Sequence, residues 1–124
     1  MATLTAQVGL TVSGLTADDI ATGLVSMTPT VVAGGITSRS INDTATPGEN
    51  IIESDHYASG TIVWLKNRST SETCTIEITS GTDALVLGPG QFALFPWKAA
   101  TDLLCYATNT HEAPILEVGV FSAA

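Results

Sequence analysis

The chain has 124 residues, only 13% of them charged, with 12 acids against four bases for a formal net charge of −8. That length supports one domain with one core, and the acidic balance excludes binding nucleic acid through phosphate contacts. No apolar run reaches the ~18 residues of a membrane span, and the first ten residues lack the basic region and apolar core of a signal peptide, so the expected setting is a cytoplasm or a particle assembled in one.

The polar residues are mostly hydroxyls, 19 Thr and 10 Ser, and Thr suits exposed strand faces. Residues 1–15 open with strict alternation. Leu4, Ala6, Val8, Leu10 and Val12 share one parity, and Thr3, Thr5, Gln7, Gly9 and Thr11 the other, which is a strand with one apolar face. Such a strand outruns what a compact sandwich needs, so residues 1–11 are expected to form an arm on a neighbouring subunit. Thr16-Ala-Asp-Asp19 then resembles a helix start, with Thr16 as N-cap, Leu15 and Ile20 as a staple and Gly23 as a stop. At most one short helix near residues 17–23 follows from this, with a loop running into a strand as the alternative. Short strands are expected at 30–33, 36–41 and 51–53, separated by Gly34-Gly35 and by the turn-forming segment 42–50 with Asp43, Pro47 and Gly48.

Residues 60–66 read Gly-Thr-Ile-Val-Trp-Leu-Lys, apolar without alternation, as in a central strand covered on both faces. A polar loop at 67–71 leads to a strand at 73–79, with Cys74, Ile76 and Ile78 inward and Thr75, Glu77 and Thr79 outward. The densest apolar stretch is 85–97. Its two runs, 84–87 and 92–95, are joined by Gly88-Pro89-Gly90-Gln91, a tight reversal. Pro96 has no N–H for a ladder and is expected to end the second run. Strands at 102–108 and 114–121 close the chain, the last with Leu116, Val118 and Val120 on one face. Eight or nine short strands at intervals of roughly 8–12 residues, with no long helix, predict an all-β fold. The expected form is an antiparallel β-sandwich, jelly-roll-like, over residues 1–124.

Candidates for chemistry are few. His56 and His111 are the only histidines, each beside an acid as Asp55-His56 and His111-Glu112, in loops where a metal or acid/base site can be carried. Their spacing is not that of a metal motif, and solvated loop histidines are the preferred account of them. Asp18, Asp19, Asp43, Glu49, Glu53 and Asp55 lack the regular spacing of a calcium loop. No Ser lies in a Gly-x-Ser-x-Gly elbow, and Gly88-Pro89-Gly90 joins two strands rather than a strand and a helix, so it is not a phosphate loop. Cys74 and Cys105 fall in strand runs and read as buried thiols, paired only if their strands are neighbours. The expectation is a protein that is not an enzyme and carries no cofactor. Among the aromatics, Trp64, Phe92, Phe95 and Tyr106 read as core. Trp97, just past Pro96, reads as an exposed contact aromatic at a subunit interface.

The second half resembles small structural proteins of tailed-bacteriophage virions. The pattern is Ile62-Val-Trp-Leu-Lys-Asn67, a Ser/Thr-rich loop, the amphipathic strand 74–78, Leu87-Gly-Pro-Gly90 into Phe92-Ala-Leu-Phe-Pro96, and a closing Leu116-Glu-Val-Gly-Val-Phe121. It spans residues 60–121, half the chain. The resemblance implies a capsid decoration (cement) protein, assembled as a homo-oligomer, commonly a trimer, on the major capsid protein at the virion surface. A tail or fibre component, or a module binding host glycans, is the alternative it leaves open. The interface residues expected under this reading are Leu4, Ala6, Val8, Leu10 and Trp97.

Overall fold

A computed structural model of the chain describes residues 2–12, 20–21, 23–54, 60–79, 81–98, 101–108 and 113–123. The N-terminal strands are β1 (Ala2–Thr3), β2 (Ala6–Val8), β3 (Thr11–Val12), β4 (Ile20–Ala21) and β5 (Val25–Met27). The body is built from β6 (Thr30–Ser40), β7 (Glu49–Ile52), β8 (Thr61–Asn67), β9 (Cys74–Ile78), β10 (Asp83–Leu87), β11 (Phe92–Trp97), β12 (Leu103–Ala107) and β13 (Ile115–Ala123). One sheet runs β1-β6-β13-β8-β11 and the other β10-β9-β12-β7. All pairings are antiparallel. Nine strands thus make two facing layers, the sandwich that the short, regularly spaced apolar runs predict.

Alternation sets the core. Val63 and Leu65 of β8 and Leu116, Val118 and Val120 of β13 point inward from the five-stranded sheet. They meet Cys74 and Ile76 of β9, Leu87 of β10, Leu103, Cys105 and Ala107 of β12 and Ile52 of β7. Each large aliphatic buried this way stabilises the fold by about 1.5–3 kcal/mol. Asn67, fully buried at the end of β8, is the polar member of this layer. Its Nδ2 donates to the carbonyls of Glu72 (2.7 Å), Leu87 (3.0 Å) and Gly88 (3.2 Å), while its Oδ1 accepts from the Ser69 N–H at 3.0 Å. The backbone N–H of Gly90, a residue with φ of 74°, donates to the Asn67 carbonyl at 3.0 Å. One side chain therefore ties the 69–72 loop to the 88–91 reversal.

The segment near residues 17–23 lies partly outside the described residues, and Ile20–Ala21 within it is strand, paired with Thr11–Val12, as in the loop-into-strand alternative to a helix. Elsewhere the fold departs from the sequence reading. Gly34-Gly35 is not a turn: β6 runs unbroken from Thr30 to Ser40. The need at Gly34 is clearance, since a Cβ there would lie 2.5 Å from the Val120 carbonyl oxygen and 2.7 Å from the Phe121 ring. Pro96 does not end its strand, for β11 is an edge and continues to Trp97 opposite Thr61, with the missing N–H costing no ladder bond. Finally, Glu77, expected to face water, is fully buried.

Glu77 is buried because the segment after Ile41 crosses over the outside of β9. Its carboxylate accepts hydrogen bonds from Thr46 Oγ1 (2.6 Å), Gly48 N–H (2.6 Å) and Gly81 N–H (2.9 Å). Burial pushes the carboxyl up, but these three donors outweigh it and hold it below the ordinary range. On the same side Arg39 pairs with Glu49 at 3.0 Å and donates to the Asn50 carbonyl at 2.7 Å, closing the seam between β6 and β7.

Candidate functional site

The N-terminal strands form a single hairpin. Ala2 pairs with Val31, Thr3 with Thr30, Ala6 with Met27 and Val8 with Val25 in one continuous register, and the Leu4 N–H donates to the Pro29 carbonyl at 3.0 Å. Beyond Val8 the register moves by one, to Thr11 opposite Ala21. The stretch expected to form an arm, residues 1–11, thus pairs with strands of residues 20–31 of its own chain. Leu4, Ala6 and Val8 are half-buried and Leu10 is exposed.

Residues of the hairpin and of the outer face of the five-stranded sheet line one apolar groove of about 420 Å³. Leu4 to Gly9 form one wall, and Ile36, Trp64, Phe92, Leu94 and Phe121 the other. A smaller groove of about 220 Å³ lies between Val8, Val25 and Met27 and the pair Leu94 and Pro96. The hairpin thus stands over its own sheet without closing onto it.

The sheet face opposite is apolar by register. Ile36, Gly119, Trp64 and Leu94 form one row across β6, β13, β8 and β11. Gly119 matters there, because a Cβ would meet Trp64 Cβ at 3.0 Å and Ile36 Cγ1 at 3.2 Å. Trp64 stacks on Phe92 with ring centroids 5.2 Å apart. Its Nε1 donates to Glu117 Oε2 at 2.8 Å, and Arg68 Nη1 reaches Glu117 Oε1 at 3.2 Å. The Trp64 hydrogen bond, helped by Arg68 and opposed by burial, holds the Glu117 carboxyl below its usual range. This triad is a charged rim beside an apolar field.

The field is also without charge in sequence. Between Asp19 and Arg39 there is no ionisable side chain, and none in residues 2–12. Of the large hydrophobic side chains exposed among the described residues, Leu10, Leu24 and Val25 lie on the hairpin. Val32, Ile36, Phe92 and Ile115 lie on the sheet that it overhangs, and only Val86 of β10 stands elsewhere. Isolated exposed hydrophobics are ordinary, but their gathering on one face, with Glu117, Lys66 and Arg68 confined to its rim, marks an interaction surface.

Trp97 is placed differently from its sequence reading. It points to the inner side of β11, half-buried, edge-on to Phe95 at 6.1 Å, with its Nε1 buried and unpartnered. With Ile78, Leu85, Ala93 and Phe95 it lines an apolar cleft of about 470 Å³ between the edge strands β10 and β11. Phe92, read as core, is the exposed aromatic of that strand, at 54%. Alternation shows that 92, 94 and 96 oppose 93, 95 and 97, but with apolar residues on both parities it does not show which set faces in. Tyr106, also read as core, lies half-buried on the outer side of β12 and donates its hydroxyl to Asp83.

Asp55, His56, His111 and Glu112 lie outside the described residues. Among the described residues no group of three or more His, Cys, Asp or Glu is placed to hold a metal ion, and no helix is long and apolar enough to cross a membrane. Cys74 and Cys105 are free, fully buried thiols on the neighbouring strands β9 and β12. Cys105 pairs with Ile76 and Cys74 with Ala107, which makes the two cysteines diagonal neighbours. The hydrogen bond between the thiols, followed by burial, pushes Cys105 up. No family model matches the chain, and searches of curated proteins and of solved structures yield no match either.

Proposed function

We propose that the chain is a non-enzymatic virion structural protein, a capsid decoration protein that binds the outer lattice of the major capsid protein as a homo-oligomer and stabilises the head. One observation carries this reading: a hairpin whose strands, in residues 2–12 and 20–31, carry no charged side chain, with Leu24 and Val25 more than 60% exposed, set over a largely apolar sheet face on a two-layer body. Such a surface suits contact with other protein, and the remaining acidic surface complements a basic patch on a capsid lattice. The virion setting, the trimeric state and the jelly-roll form of the sandwich come from the resemblance of residues 60–121.

The test compares particles with and without the protein. Heat-induced genome release, followed with a DNA-binding dye, is expected several degrees lower in particles that lack it, and adding the purified protein back is expected to restore the midpoint. Coincident release curves together with no binding of the purified protein to particles would refute the reading.

A further inference from the structure

We infer that the hairpin and the outer face of the five-stranded sheet are the contact between copies of this chain, and that the capsid is met elsewhere. This deepens the protein-contact reading above and rests on it. The first ground is charge. Each copy carries −8, so two copies approach at lower cost across a surface poor in acids. Residues 2–12 and 20–38 carry none, and Glu117 on the sheet face is already held by Trp64 and Arg68. A basic partner would be drawn instead to the acids outside that face.

The second ground is shape. The hairpin stands off its own sheet and leaves the 420 Å³ groove open, and Leu10, Leu24, Val25, Ile36 and Phe92 stay exposed on the two elements around it, apolar surface that a second copy would cover.

The third ground is backbone. β1 pairs only with Thr30 and Val31, so among the described strands β6 from Val32 onward has β13 on one side and no strand on the other. A long edge with a single charge, Arg39, already engaged by Glu49, is an edge that favours strand addition by another chain.

The experiment uses the purified full chain in sedimentation velocity and light scattering, at ~0.05 and ~0.5 M salt. An oligomer is expected, and it is expected to tighten at high salt, because screening relieves repulsion between acidic copies across a contact that is mainly apolar. Val25→Asp and Phe92→Asp, at exposed positions on two separate elements, are each expected to weaken association by about 100-fold or more. Their far-ultraviolet spectra should stay β-type, and Val86→Asp on β10 should associate like the parent. A parent chain that stays monomeric at ~100 μM, or Asp variants that associate unchanged, would overturn the inference. Dissociation by salt would overturn it as well. A monomer that still protects capsids sinks this inference and the homo-oligomer but leaves capsid decoration standing, whereas an oligomer without affinity for capsids sinks the decoration reading alone.

Discussion

Replacing Glu77 by Ala removes the acceptor for three donors at once: the Thr46 hydroxyl and the N–H groups of Gly48 and Gly81. All three converge on a fully buried carboxylate, so the loop that crosses β9 loses its anchor. Hydrogen bonds to a charged acceptor contribute about 1.5–3 kcal/mol each, and water reaching the released loop returns part of that. The net loss is expected to be about 3–5 kcal/mol, or about 10–20 °C in Tm for a domain of this size. Glu77→Gln keeps the shape and one acceptor but turns an NH₂ toward a donor, so about 2–3 kcal/mol is expected. The pH dependence follows from the lowered carboxyl: its stabilisation is present above the unfolded value near ~4.3 and fades as pH falls through the folded value. Urea unfolding at fixed protein concentration, followed by circular dichroism between ~pH 3 and ~pH 7, reads both effects. Glu77→Ala within ~1 kcal/mol of the parent would refute the anchoring role. An acid dependence unchanged in Glu77→Gln would refute the electrostatic part.

Two further outcomes are expected. Asn67→Leu, which strands the Glu72, Leu87 and Gly88 carbonyls, should cost about 2–4 kcal/mol in the same urea assay, and a neutral effect would show that the 88–91 reversal holds without it. Because Cys74 and Cys105 are fully buried and Cys105 is pushed up, neither should react with a thiol-specific disulfide reagent in the native protein, while both should react in denaturant. Rapid labelling of the folded chain would contradict their place in the core.

The two-layer body was legible because period-2 patterning is local. Cys74, Ile76 and Ile78 face inward, as do Leu116, Val118 and Val120, with the spacing alone as guide. Glu77 was not legible, since its cover comes from residues 46–48, some thirty positions away, and nothing in the 73–79 pattern signals a loop overhead. Trp97 and Phe92 exchanged roles because their strand is apolar on both parities. The second strand of the hairpin was not legible for a different reason: residues 24–31 carry Pro29 and have Gly23 nearby, which break up any visible alternation. The signal that marks the surface was nonetheless present, in the absence of any ionisable residue between Asp19 and Arg39.

The position of β13 bears on how the molecule must be assembled. It lies between β6 and β8, so those two strands never touch and are joined only through it. Leu116, paired with both Arg39 and Asn67, acts as a keystone, bringing together parts of the chain that have no other ladder in common. The five-stranded sheet is thus completed by pairings very distant along the chain, the class of contact that slows folding.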